Sequence, residues 1–298
     1  MNVSAVVVTY NRGARLQQTL AGLEAQDRPV DHIVIIDNAS TDDTESMLAE
    51  REAAVPTTVK RLSENTGGAG GFAAGTKIAY EQGADAIWLM DDDTVPQAES
   101  LGELVRGLED ADTRLGARPS FASSLVLGKD GSLCEMNTPE TTWDWPRAMT
   151  LGADYMLCKS CSFVSVLITR EAIHQVGLPS PNFFIWYDDA EYTQRLSKFR
   201  PGIFVPSSKV NHLLPQNRGV NFGDVNEGNL WKFEYGVRNQ VGSAIAMRSP
   251  ILLASLAEHL IKQLHGSHVP WSLRLKLAQA ALRGVTFRPE IEFPRTVR

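Results

Sequence analysis

The sequence predicts an α/β protein: a mostly parallel, twisted sheet flanked by helices, followed by a C-terminal helical appendage. Three observations lead there. Through the first hundred residues, short apolar runs alternate with stretches of helical spacing, as parallel strands joined by right-handed crossovers require. Polar or acidic residues follow the ends of three of those runs, the rim where open α/β sheets bind ligands. From residue 228 onward the signal is helical.

Val3–Val8 is a continuous apolar run bounded by Asn11 and Gly13, as expected of a strand buried on both faces. Leu16, Leu20 and Leu23 set one apolar stripe on a helix over 14–25. Ile33–Ile36 is the second strand and ends at Asp37. Thr41, followed by Asp42, Asp43 and Glu45, starts a helix with acid in its first turn. Val59–Leu62 is a third, weaker strand, then a glycine-rich loop leads into a helix over 72–82. Ala86–Met90 is the fourth strand.

The rhythm then changes. Residues 98–111 read as helix, and Phe121–Leu127 and Ser162–Thr169 as strands around a loop rich in Thr, Pro and Trp. Residues 189–199 form a short helix, and Val205 and Val210 lie in short extended pieces. Leu253, Leu256, Ala257, Leu260 and Leu264 share one helical face, as do Leu273, Leu277 and Ala281 after Pro270. The chain therefore divides into a main domain over 1–224, with halves 1–95 and 96–224, and a helical region over 225–298.

With 43% hydrophobic and 21% charged residues in 298, the composition is that of a folded soluble protein. A net charge of −6 gives no general attraction to nucleic acid or anionic lipid. Cysteines 134, 158 and 161 are too few, and odd in number, for a disulfide framework. Cys158 and Cys161 form a C-x-x-C without a second pair or a nearby His, so they read as small buried residues in a strand region rather than a zinc or redox site. The first apolar run is too short for a signal peptide, and no stretch approaches a membrane span. A cytoplasmic protein is expected, with peripheral contact to the inner face of the plasma membrane left open.

The chemistry concentrates in a few stretches. Ile87–Met90 delivers Asp91, Asp92 and Asp93 to a strand end. Adjacent carboxylates repel, and burying them is costly without a counter-cation. Hard oxygen ligands suit Mg²⁺ or Mn²⁺, ions that accompany nucleotide phosphates. Thr9-Tyr10-Asn11-Arg12 follows the first strand and Asp37–Asp42 the second. Asp37 can accept hydrogen bonds from a base or ribose, although such a stretch also makes a turn and helix cap. Glu64–Gly75 holds Asn65, Gly67, Gly68, Gly70 and Gly71, which let backbone amides approach an anion at a helix N-terminus. Gly68, Gly70 and Ala73 fit G-x-G-x-x-A, but not directly after a first strand, so a dehydrogenase fingerprint is disfavoured. Phe183–Tyr187 leads into Asp188 and Asp189, a helix cap or a general base in an apolar pocket. His212 ends a short extended run and can complete a carboxylate metal site. Trp143, Trp145 and Trp186 offer flat faces for a sugar ring or for the core.

Taken together, Thr9–Arg12, Asp37–Asp42, Glu64–Gly71, Asp91–Asp93 and Asp188–Glu191 resemble, in order, the motifs of family 2 glycosyltransferases of the GT-A fold over roughly residues 1–240. Tyr235-Gly236-Val237-Arg238-Asn239 resembles a Y-x-x-R-N signature of rhamnosyltransferase-like and galactofuranosyltransferase-like members. The resemblance implies a nucleotide-sugar-binding half (1–95) and an acceptor-binding half (96–224). It implies that Asp37 binds uracil or thymine with Thr9 and Arg12, and that the Asn65–Gly71 loop lies along the donor. Asp91 and Asp93 would hold Mn²⁺ or Mg²⁺ with His212 as third ligand, and Asp92 would lie near the sugar or ribose. Asp189 would be the base, with Asp188 its near rival, since Asp-Asp replaces the family's Glu-Asp. Glu191, with the tryptophans, falls to the acceptor side.

The reaction implied is inverting transfer from UDP-galactofuranose to a lipid-linked saccharide in actinobacterial cell-wall galactan or surface polysaccharide. dTDP-rhamnose is the rival donor. A nucleotidyltransferase is disfavoured by the single glycine in Tyr10–Arg15, and a catalytically dead sugar-binding protein by the intact acidic set. The C-terminal helices would rest on membrane, on the catalytic domain or on a second copy of the chain.

Overall fold

A computed structural model of the protein describes residues 1–214 and 217–295. The first half follows the expected alternation: β1 (Val3–Thr9), α1 (Gly13–Glu24), β2 (His32–Asp37), α2 (Thr44–Glu50), β3 (Thr57–Arg61), α3 (Gly67–Glu81) and β4 (Ala86–Asp91). Next come β5 (Thr94–Pro96), α4 (Ser100–Leu115), β6 (Phe121–Leu127), β7 (Glu140–Thr141), α5 (Arg147–Thr150), β8 (Met156–Ser160), β9 (Val166–Thr169), α6 (Arg170–Val176), α7 (Asp188–Phe199) and β10 (Gly202–His212). Three helices end the chain: α8 (Leu230–Ala246), α9 (Pro250–His265) and α10 (Trp271–Thr286).

One sheet runs in the order β3-β2-β1-β4-β9-β6-β10-β8-β7, with β5 on β10. The quartet β3-β2-β1-β4 is parallel throughout. β9 enters antiparallel between β4 and β6, while β6 and β10 run parallel to each other. Strands β1, β2, β3, β4, β6, β7 and β10 thus point one way, and β5, β8 and β9 the other, so the sheet is mostly parallel as expected.

Burial on both faces explains why the early strands carry no polar alternation. Val3, Ala5 and Val7 of β1 join a core with Leu16, Leu20 and Leu23 of α1 and Leu101, Leu104 and Leu108 of α4. Val6 and Val8 point the other way, toward Phe72 and Ala79 of α3, Ile173 of α6 and Leu196 of α7. A third cluster joins α8, α9 and α10 through Phe233, Val237, Leu256, Leu273 and Leu277, with Trp186 packed against it.

Several local expectations need correction. The glycine-rich stretch is not a loop before a helix at 72; α3 is helical from Gly67. Helix α2 begins at Thr44 rather than Thr41, because Asp42 accepts hydrogen bonds from the Thr44 amide (3.1 Å) and hydroxyl (2.6 Å). Val205 and Val210 belong to one strand, interrupted by a register shift between Val205 and Lys209. Pro206 lies in that interval and lacks the N–H the ladder needs. Strand β8 runs through the strand region expected around Cys158, which is buried, as is Cys161 just beyond it.

The glycines of α3 separate by their surroundings. A Cβ at Gly75 would collide with Val6 of β1 and meet Ile36 of β2, whereas one at Gly68 meets nothing within 4 Å. Gly75→Ala should therefore lift α3 off the sheet and cost about 1–3 kcal/mol. Gly68→Ala should leave stability unchanged or raise it by up to about 1 kcal/mol. Urea midpoints of the two variants test the contrast.

Candidate active site

The carboxyl ends of β1, β2 and β4 lie side by side, since Thr9 is in register with Asp37 and Val8 with Asp91. Three loops therefore meet at one rim. Asn11, at φ 54°, accepts hydrogen bonds from the Thr41 amide (2.7 Å) and Asp42 amide (3.3 Å), tying the first loop to the second. Tyr10 is exposed beside it. Asp37 is buried; its Oδ1 accepts from the Ser40 amide (2.8 Å) and its Oδ2 faces Arg61 at 3.4 Å. Asn38 ties this loop to the start of α3. Its Nδ2 donates to Asn65 Oδ1 and the Gly67 carbonyl, and its Oδ1 accepts from the Thr66 amide. Gly67 has φ +72°, and a Cβ there would strike the Phe184 carbonyl, so glycine is required twice over.

The triplet is a turn, not a strand end of alternating side chains. Asp91 closes β4, Asp92 and Asp93 turn the chain, and β5 runs back antiparallel to β10 with Thr94 opposite His212. That pairing sets His212 beside Asp93, with Nε2 3.2 Å from Asp93 Oδ1. Asp91, Asp93 and His212 each offer a ligand atom, and these atoms lie within 4.8 Å of one another. Asp92 is aimed elsewhere: its Oδ2 accepts from Thr9 Oγ1 (2.8 Å) and its Oδ1 from Arg12 (3.1 Å).

Two carboxylates and an imidazole converging on one point fit Mn²⁺ or Mg²⁺. A second feature supports the fit. Asn137 Oδ1 lies 3.0 Å from His212 Nδ1 and accepts from Cys134 Sγ, while its Nδ2 donates to Ser162 Oγ. That orientation places a proton on Nδ1, so that Nε2 is the nitrogen free to present its lone pair when a metal is bound, the arrangement outer-shell partners impose on ligating histidines.

The charge balance is strongly negative. Burial, then Asp93, pushes the Asp91 carboxyl up to about 7. Asp92 is likewise raised by burial against the pull of Arg12. Burial also acts on Asp93, but the His212 hydrogen bond and charge, then Arg12 and Arg15, outweigh it and hold it low. Arg12 Nη1 and Arg15 Nη1 both donate to Asp93 Oδ2, at 2.9 and 3.0 Å.

Asp188 and Asp189 open α7, directly after Tyr187 at φ 70°. Burial, then Asp189, raises Asp188 well above the carboxylate range, and Asp91 adds to the rise, so α7 opens toward the triplet. Asp189 is raised to about 6 by burial, against hydrogen bonds from the Ala190 and Phe163 amides. Its Oδ1 accepts from the Ala190 amide at 2.7 Å.

Other candidate residues lie differently. Trp143 is 94% exposed and Trp145 partly so, while Trp186 packs edge-on against Phe233 of α8. Both carboxylate oxygens of Glu191 are taken by Arg195, at 2.9 and 3.2 Å. Residues the motif reading passed over include Arg15, Arg61 and Asn137. Only Arg15 carried a signal, a second cation one helical turn from Arg12.

Known proteins place this geometry in context. Residues 4–175 match the model of Glycosyl transferase family 2. Galactofuranosyltransferase GlfT1 of Mycobacterium tuberculosis is 42% identical over 214 residues, covering 65% of this chain and 64% of that protein. The match thus spans just under two thirds of that relative's length. N-acetylglucosaminyl-diphospho-decaprenol L-rhamnosyltransferase of the same organism is 27% identical over 246 residues, covering 72% of this chain and 76% of that one. Among solved structures, mannosyltransferase PcManGT from Pyrobaculum calidifontis in complex with GDP-Man and Mn²⁺ superposes with a TM-score of 0.56 at 18% identity. The superposition covers 96% of this chain and 76% of that one.

Asp189 binds its proton more tightly folded (about 6) than at its ordinary value of 3.8. Between those values the folded state holds more protons, so stability falls as pH rises. Asp189→Asn should remove that contribution and stabilise the metal-free protein at pH 7 by on the order of 1–2 kcal/mol. Denaturant titrations of both proteins from pH 4 to 7 check the sign.

Proposed function

This chain belongs to glycosyl transferase family 2, and on that premise we propose an inverting, divalent-metal-dependent transfer of galactofuranose from UDP-galactofuranose to a lipid-linked saccharide in cell-wall or surface polysaccharide synthesis. It is a glycosyltransferase of the GT-A fold. The observation that carries the finer reading is the Asp91–Asp93–His212 cluster with the half-buried pair Asp188–Asp189 near enough for Asp91 to raise Asp188. The donor follows the relative named a galactofuranosyltransferase; dTDP-rhamnose remains the alternative through the rhamnosyltransferase relative.

Bound at Asp91, Asp93 and His212, Mn²⁺ or Mg²⁺ would offset charge developing on the departing diphosphate. The side chains do the rest. Asp37 and Thr9 receive the base and ribose, and Arg12 and Arg15 are the cations near enough to meet phosphate. The start of α3 lies along the donor, its Gly67 and Ala69 amides already taken by Asn65 and the Phe184 carbonyl. Asp189 takes the proton of the acceptor hydroxyl as its oxygen bonds to the anomeric carbon and the bond to the diphosphate breaks. Attack from the opposite face inverts the centre without a covalent intermediate.

The C-terminal helices support a lipid-side acceptor. No helix among the described residues is long and apolar enough to cross a membrane. On α10, Trp271, Leu275, Ala278, Leu282 and Val285 form an exposed stripe at helical spacing. From His259 to Arg288 the chain has Lys262, Arg274, Lys276, Arg283 and Arg288 but no acidic residue. Lys262 and Arg283 are already paired with Glu258 and Glu234, and the remaining Arg274, Lys276 and Arg288 suit an anionic lipid surface better than a second copy bearing the same charges.

A donor screen with Mn²⁺ tests the activity. UDP release from UDP-galactofuranose should require a lipid-linked rhamnosyl acceptor and vanish in EDTA. Turnover of dTDP-rhamnose alone would reassign the donor, and full activity in EDTA would remove the metal. Asp189→Asn should lose about 10²–10⁴-fold in transfer while still binding UDP. If Asp188→Asn does so instead, the base is its neighbour. The wild-type rate should climb with pH through about 6 as Asp189 ionises. Cosedimentation with vesicles rich in phosphatidylglycerol, but not with phosphatidylcholine alone, is expected for the membrane contact. Leu275→Glu with Leu282→Glu should abolish it.

A further inference from the structure

We propose that Arg238 and Asn239 are positioning residues for the transfer step, holding the strained turn that delivers Asp188 and Asp189; this rests on Asp189 being the base. The turn is Phe183–Tyr187. Phe184, Trp186 and Tyr187 have φ of 64°, 65° and 70°, and a bulky side chain rarely occupies that region. Left-handed non-glycine residues persist only where the surroundings over-determine them.

The surroundings here are one face of α8. Asn239 is fully buried, and its Nδ2 donates to the carbonyls of Phe183 (3.0 Å), Ile185 (3.0 Å) and Trp186 (2.8 Å). Its Oδ1 accepts from Arg238 Nε (3.0 Å) and Nη2 (2.7 Å). Arg238 Nη2 also donates to the Asn182 carbonyl at 2.8 Å. The guanidinium lies over the Tyr235 and Phe287 rings, 4.7 and 4.2 Å from their centroids. Tyr235 in turn stacks on Phe184, with centroids 4.9 Å apart and planes at 21°. A Cβ at Gly236 would press on the Trp186 indole. The Tyr235–Asn239 motif is thus spent on this turn.

The turn passes the constraint on in two directions. The Phe184 carbonyl accepts from the Ala69 amide (3.1 Å), fixing the first turn of α3. The Tyr187 carbonyl accepts from the Glu191 amide (3.0 Å), starting α7 and so placing Asp188 and Asp189. Asn239 bonds the backbone of the turn and Arg238, so its effect reaches the acceptor hydroxyl through where Asp189 stands.

A positioning role separates from plain structural support in kinetics. With UDP-galactofuranose, Mn²⁺ and the lipid-linked acceptor, Asn239→Ala should lower kcat about 100-fold, the scale of a misplaced reacting group. The Kd for UDP with Mn²⁺, by calorimetry, should stay within about threefold, because Thr9, Asp37 and the metal cluster lie on other loops and Asn38 ties the start of α3 independently of the turn. Combined with Asp189→Asn, it should add nothing to the loss from Asp189→Asn alone. Should Asn239→Ala not fold, the half-buried Arg238→Gln carries the same test, with a kcat loss of about tenfold and Arg238→Lys intermediate. A kcat within about threefold of wild type, a parallel loss of UDP affinity, or losses that multiply in the double variant would each overturn the proposal. Full transfer by Asp189→Asn alone would instead overturn the base reading, and the kcat against Kd split would still decide this one.

Discussion

Five carboxylates, Asp91, Asp92, Asp93, Asp188 and Asp189, crowd the rim of one sheet, and much of the surrounding structure exists to hold them there. Arg12 and Arg15 are the positive partners that reach them, and both are drawn to Asp93, where His212 Nε2 also lies. Asp91, Asp188 and Asp189 are left holding protons more tightly than ordinary carboxyls. An apolar core alone would not retain such a cluster, because burying like charges works against folding. A divalent ion held by Asp91, Asp93 and His212, as proposed, would reverse that balance and couple donor arrival to relief of the site's own repulsion.

Rigidity at the rim comes from neutral side chains rather than from further charge. Asn11 ties the first loop to the second, Asn38 ties the second to α3, Asn137 orients His212, and Asn239 secures the turn before α7. A carboxamide donates and accepts at once, so it can bridge two backbone segments without adding to the local charge. Each asparagine joins segments far apart in sequence. Helix α8 belongs to this scaffold as much as to the helical cluster behind it, since its face bearing Tyr235 to Asn239 closes on the Phe183–Tyr187 turn.

The sequence by itself determined the parallel quartet β3-β2-β1-β4 and the helices between. Strands buried on both faces must be continuous apolar runs, and Val3–Val8, Ile33–Ile36 and Ala86–Met90 are such runs. It also determined where charge collects, because Asp91–Asp93 and Asp188–Asp189 are consecutive in the chain. Tertiary structure alone decided the rest. The antiparallel insertion of β9, the recruitment of β8 and the single bulged β10 depend on pairing partners tens of residues away, which local spacing cannot encode. His212 meets Asp93 across 119 residues only because β5 doubles back onto β10. Asn137 and Asn239 carry neither periodicity nor charge in the sequence; what each does is set by the backbone brought to it.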